Sequence, residues 1–125
     1  MGYIFSREID NNIIPQKVQN LVIRDYAQRN KMNLLLSSTE YKMKNSYLMF
    51  DSLVNKKNTK FSGLIIYSLF MLKEYKDLKK IFNNLKKNNI RLFCALEEIE
   101  LNNLNDSKYL KDTFFINRNN KNEKK

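Results

Sequence analysis

The stretch Ser-Gly-Leu-Ile-Ile-Tyr-Ser-Leu-Phe-Met-Leu at 62–72 constrains this chain more than any other. It is an apolar run of strand length, opened by Gly63 and interrupted only by Ser68. Such a run predicts a strand buried on both faces, the usual state in a parallel sheet with helices on either side. An amphipathic pattern succeeds it over 73–87, with Tyr75, Leu78, Ile81, Phe82 and Leu85 on one stripe and lysines opposite. Asn88-Asn89 ends that helix, because asparagine tolerates the left-handed C-cap conformation.

Further elements are placed around this pair. Residues 3–5 form a short β-prone run and 8–14 a polar loop. Pro15 opens a helix over 16–30 at a position where its missing N–H costs nothing. The apolar side of that helix reads as Val18, Leu21, Val22 and Tyr26. Residues 32–36 read as a second strand with Leu34, Leu35 and Leu36 buried, and 37–41 as the loop at its end. Asn45 or Ser46 can cap a helix carrying Tyr47, Leu48, Phe50, Leu53 and Val54. A basic turn over 55–60 leads to the third strand at 63–67, and 68–72 is the crossing into the long helix. Residues 90–96 form a fourth strand, and a short helix is expected around 108–114.

The order is β-α-β-α-β-α-β. Right-handed crossovers then predict a small doubly wound α/β fold: one parallel sheet of four strands in the order 2-1-3-4, with helices on both faces. The length, 125 residues, fits one domain, taken as 1–116 with a disordered basic tail at 117–125. No apolar run is long enough to cross a bilayer, so no membrane contact is expected. The single cysteine, Cys94, excludes an internal disulfide and a thiolate metal cluster, reads as a core residue, and points to a cytoplasmic setting. The absence of histidine removes the commonest general base and metal ligand. Neither a metal nor a cofactor is expected.

The net charge is +10, which in itself suits nucleic acid. The excess is mostly lysine, however, accompanied by much asparagine and isoleucine. Lys73, Lys76, Lys79, Lys80, Lys86 and Lys87 gather on the wet side of one helix and its flanks. On this reading nucleic acid is not the expected partner.

In an open parallel sheet, ligands bind beyond the carboxyl ends of the strands, where the strand order reverses. That rule selects Ser6, Arg7, Glu40, Tyr41, Ser68 and Glu97. Arg7 suits an anion clamp, since its guanidinium can grip a phosphate or carboxylate at two points. Ser6 reads as a nucleophile or a hydrogen-bond donor, with a carboxylate or lysine as its base. Glu40 and Tyr41 are candidates for general acid–base work and substrate binding, and Glu97 for the same at its own strand end. Gln16, Gln19 and Asn20 lie on the first turns of the first helix and could donate to a polar ligand, with Arg24 in support. Asp25 falls inside the apolar stripe of that helix, so a carboxylate aimed at the core would need a partner such as Arg7. The apolar crossing at 69–72 needs cover, which suggests a dimer or higher oligomer.

Two resemblances meet at these residues. The pieces Gly-Tyr-Ile-Phe-Ser-Arg (2–7), Ile-Pro-Gln-Lys-Val-Gln-Asn-Leu-Val-Ile-Arg-Asp-Tyr (14–26), Leu-Leu-Ser-Ser-Thr-Glu-Tyr (35–41), Ile-Ile-Tyr-Ser-Leu-Phe-Met-Leu (65–72) and Phe-Cys-Ala-Leu-Glu (93–97) resemble the bacterial sporadic carbohydrate cluster family. That resemblance implies company in gene clusters for surface-polysaccharide or modified-sugar biosynthesis. It suggests an enzyme acting on an anionic sugar or sugar nucleotide, or else a non-catalytic accessory subunit of such an enzyme. The layout of elements is similar to the catalytic domain of serine recombinases, with Ser6 in the place of the DNA-attacking serine. The chain departs from that pattern at Ile4 and Phe5, and again at 68–72, where that family carries arginines. This third reading is a resolvase-like nucleic-acid binder without the catalytic arginines.

Overall fold

The computed structural model describes residues 1–43, 45–55, 61–101, 110 and 112–114. The central apolar run is strand β3, Gly63–Ile66, flanked by β1 (Gly2–Ile4) and β4 (Arg91–Cys94), all parallel. β2 (Ser38–Thr39) pairs with the outer side of β1, and β5 (Ile99–Glu100) adds an antiparallel edge to β4. The strand order is β2-β1-β3-β4-β5. The expected 2-1-3-4 arrangement is therefore extended by a fifth strand, which the turn at 95–98 folds back on β4 through Glu98 at φ 57°. Two residues are too few to leave a periodic signal in the sequence.

Helix α1 (Gln16–Arg29) covers one face, where Tyr26 meets Phe93 with ring centroids 6.0 Å apart. Helix α2 (Leu48–Asn55) covers the other, where Phe50 meets Tyr3 at 5.1 Å. Helix α3 (Leu78–Lys87) packs beside α2, with Leu78, Ile81, Phe82 and Leu85 buried as the stripe requires. Its lysines Lys79, Lys80, Lys86 and Lys87 are exposed. The helix begins at Leu78 rather than residue 73, because the Asp77 carboxylate accepts the Lys80 N–H (3.1 Å) and so fixes the first turn there.

Two helix ends obey one rule. Beyond α3, Asn89 is left-handed (φ 56°) and the Ile90 N–H reaches back to the Leu85 carbonyl (2.9 Å). Beyond α1, Lys31 is left-handed (φ 55°) and the Met32 N–H reaches the Ala27 carbonyl (2.8 Å). Both are Schellman closures, which satisfy carbonyls that the helix leaves open. The loop at 9–12 is a tight hairpin: Ile9 and Asn12 exchange backbone bonds around left-handed Asp10 and Asn11. That is the geometry of a type I′ turn, which asparagine and aspartate suit.

Several expectations are corrected. The second strand is not 32–36: Leu36 is 90% exposed and Leu35 44% exposed, while Ser38 and Thr39 pair with Tyr3 and Ile4. The face of α1 is rotated from the expected one. Gln19, Ile23, Tyr26 and Ala27 are buried, whereas Val18 and Leu21 are exposed. Asp25 consequently points to solvent and pairs with Arg29 (2.8 Å), which also binds Glu98. The crossing after β3 is a 3-10 turn, Leu69–Leu72, whose Leu69, Met71 and Leu72 are buried within this chain. Phe70 packs against Phe114 (5.6 Å). The crossing therefore has its cover, and the ground for expecting a dimer or higher oligomer disappears. Residues 110 and 112–114 are helical and bury Leu110 and Phe114. The rest of the expected helix at 108–114, and the tail at 117–125, lie outside the described residues. Among the described residues no helix is long and apolar enough to cross a membrane.

Candidate functional site

The carboxyl ends of the strands gather the residues that the crevice rule selects, but they put several of them to structural use. Glu40 follows β2 and is only 2% exposed. Its carboxylate accepts from the Tyr3 hydroxyl (2.8 Å) and from the N–H groups of Tyr41 (2.9 Å), Phe50 (3.1 Å) and Met49 (3.2 Å). The Ser46 hydroxyl adds a fifth contact at 3.2 Å. Met49 and Phe50 belong to the first turn of α2, so Glu40 caps that helix from the neighbouring strand and meets the positive end of its dipole. Burial works to raise the carboxyl, but the donors of Phe50, Tyr41, Tyr3 and Met49 outweigh it and hold the group below the ordinary carboxylate value. Burial and then the adjacent Glu40 push the Tyr3 phenol upward. A carboxylate engaged five times over is held as a cap, a use that residue type and position do not reveal.

Gln19, expected to face a ligand, is instead fully buried in α1. Its Oε1 accepts the Phe5 N–H (2.8 Å), and its Nε2 donates to the carbonyls of Phe5 and Ile14 (both 2.9 Å). Both amide hydrogens are thus used. Gln19 ties the backbone just past β1 to the start of α1, as a neighbouring strand would otherwise do. Its signal is in the spacing: positions 19, 23, 26 and 27 form a helical stripe with the glutamine in line.

Ser68 and Glu97 come together. Ser68 is 2% exposed; its hydroxyl donates to Glu97 (2.7 Å) and accepts the Phe70 N–H (3.2 Å). Glu97 also accepts the Leu69 N–H (2.9 Å), so the pair caps the 3-10 turn.

An open cleft of ≈ 510 Å³ remains beside the tip of β1. Arg7 is its centre. The guanidinium lies 4.0 Å from the Phe5 ring centroid and 5.1 Å from that of Tyr47. One terminal nitrogen donates to the carbonyls of Tyr41 (3.1 Å) and Met43 (3.5 Å). Among the described residues no carboxylate pairs with it. Lys42, Asn45 and Asn11 line the same cleft, as does Lys73, which is paired with Asp10 at 2.7 Å. Tyr47 closes the inner wall with its hydroxyl donating to the Met71 carbonyl; burial pushes this phenol up to about 12, with Arg7 opposing. Lys42 and Tyr47 escape the strand-end rule, because neither sits at a strand end. Ser6, between the lining residues Phe5 and Arg7, is half-buried, with its hydroxyl donating to the Glu40 carbonyl (3.2 Å). Tyr41 is exposed.

The remaining expected residues lie elsewhere. Gln16, Asn20 and Arg24 line a separate groove between α1 and residues 32–39. The residues expected around a single hollow are therefore dispersed among the Arg7 cleft, the Ser68–Glu97 cap and the α1 groove, with Glu40 and Gln19 buried outside all of these. Cys94 is buried in β4, as expected. Among the described residues no cluster of acidic or cysteine side chains could hold a metal ion.

No protein-family model matches the sequence, and no curated protein matches it. Solved structures do resemble it. The N-terminal catalytic domain of TP901-1 integrase superposes with a TM-score of 0.61 at 17% identity, covering 99% of this chain and 98% of that one. A resolvase family site-specific recombinase from Streptococcus pneumoniae superposes with a TM-score of 0.63 at 12% identity, covering 98% and 91%. These likenesses establish a resolvase-like α/β fold. They overturn the carbohydrate-pathway expectation, with its sugar or sugar-nucleotide ligand, and the expectation that nucleic acid is an improbable partner; nothing ties the chain to the sporadic carbohydrate cluster family.

Proposed function

We propose that this chain binds nucleic acid through its phosphate backbone, on a recombinase-type core that does not cut it. The likeness of the fold, end to end, to two site-specific recombinase structures carries this reading. The charge supports it: net +10, with basic residues concentrated in the sequence at 56–60 and 108–125. Arg7, unpaired with any acid among the described residues, and Lys42 line the cleft at the tip of β1 and would meet phosphates there, with Ser6 and Tyr41 their neighbours in the sequence.

Cleavage by Ser6 would require cations on the developing phosphoryl charge. The positions before it, Ile4 and Phe5, are buried and apolar. The positions after β3 are the buried 3-10 turn. Arg7 and Lys42 are a thin provision for that charge.

The test has two arms. Binding of a labelled DNA duplex, titrated across salt concentration, should weaken linearly on a log–log scale, with a slope of about −0.9 per phosphate contacted. Incubation with supercoiled DNA should leave no covalent protein–DNA adduct. Absence of binding at low salt would overturn the reading, and an adduct abolished by Ser6→Ala would overturn its non-cleaving half.

A further inference from the structure

The second groove, ≈ 650 Å³, has an unusual pair of walls. On α1, Gln16, Asn20, Arg24 and Gln28 succeed one another at four-residue spacing, so they stand in a row along one face. None of the four side chains hydrogen-bonds to another described residue. Opposite them runs the segment that leads into β2. Residues 33–37 make no backbone hydrogen bond to any described residue.

Among the described residues β2 is the end of the sheet, with β1 on its inner side only. The Glu40 N–H points inward to the Ile4 carbonyl (2.9 Å). Strand alternation therefore turns the N–H of Thr39, and by continuation that of Ser37, outward. Exposed strand edges are normally blunted by lysine, proline or a bulge. Residues 33–39, Asn-Leu-Leu-Leu-Ser-Ser-Thr, contain no charge and no proline. Leu36, beside this edge, is 90% exposed.

We propose that this groove receives an extended, acidic peptide segment of a partner protein, added to β2 as a further strand. The backbone of the peptide would pair with the outward groups at Ser37 and Thr39, and its apolar side chains would rest on Leu35 and Leu36. Arg24 selects the charge. Among the described residues it is the one charged residue lining the groove, and no acid lines it. The amides of Gln16, Asn20 and Gln28 serve backbone donors and acceptors alike. The same charge argues against a second copy of this chain: a twofold β2–β2 pairing would bring two Arg24 side chains into one groove with nothing to neutralise them.

Two labelled peptides test the proposal, one alternating valine with glutamate and one alternating valine with lysine. The glutamate peptide should bind about tenfold more tightly, a difference of one well-placed charge pair. Arg24→Glu should reverse that preference, while Lys79→Glu on α3 should leave it unchanged; thermal melts of both variants check the fold. Hydrogen exchange should slow at Ser37 and Thr39 when the glutamate peptide is bound. The proposal fails if those amides are unaffected, or if Arg24→Glu leaves the preference as it was. It also fails if they are already protected in a concentration-dependent dimer, or if a DNA duplex alone protects them.

Discussion

Two carboxylates at the strand tips do the same task with unequal means. Glu40 comes from the end of β2 and caps the next helix in the chain; it is buried and holds five donors. Glu97 comes from the turn after β4 and caps the 3-10 turn that succeeds β3, half-exposed and with two donors. The first joins neighbours in sequence, the second joins neighbours in the sheet. The difference shows where the fold concentrates its polar order. The β1–β2 side is locked by Glu40, Tyr3 and Gln19, whose side-chain polar groups are all hydrogen-bonded, while the β3–β4 side depends mainly on packing of Leu69, Met71 and Leu72.

The sharpest way to break this comparison is Glu40→Gln. The shape is kept, but the charge is lost and an NH₂ group is turned on N–H donors. Urea unfolding should show a loss of about 3 kcal/mol; a loss no larger than that for Glu97 would erase the distinction. Acid offers a second lever. The folded carboxyl of Glu40 is held below its ordinary value of 4.5. Its contribution is therefore fully present above that value and is lost as pH falls through the lowered one. Wild-type stability should drop on acidification below about pH 4.5, and Glu40→Gln should flatten that drop. The smallest effect is expected from Glu97→Gln, about 1 kcal/mol, because water can replace part of what a half-exposed carboxylate accepts. A loss there as large as at Glu40 would show that the second cap is as tightly locked as the first.

How much of this is legible in the sequence depends on the kind of signal. β3, β4 and α3 are legible, because an apolar run of strand length and a five-residue stripe each have one cheap solution. The Asn89 closure is legible from residue type alone. The leucines at 34–36 mislead, since apolar composition does not say whether a segment joins the sheet or passes along its edge. The face of α1 is misread because its most buried positions include Gln19, which is polar, while Val18 and Leu21 are not buried at all. For the site, the rule about strand ends finds the right end of the molecule. It does not tell a cap from a reactive group, since Glu40 as a cap and Glu40 as a base look alike until the donors around it are located.

The left-handed positions carry a consequence of their own. The chain has two glycines, and neither has a positive φ. Lys31, Asn89 and Glu98 take up that conformation in their place. For Lys31 and Glu98 this is conformational tension, about 1 kcal/mol each, that a residue without a Cβ would release. Lys31→Gly and Glu98→Gly should therefore raise the melting temperature, the first more cleanly because Glu98 also holds Arg29. Built into the ends of its turns, the molecule keeps an untapped margin of thermal endurance that two substitutions would uncover without altering either groove.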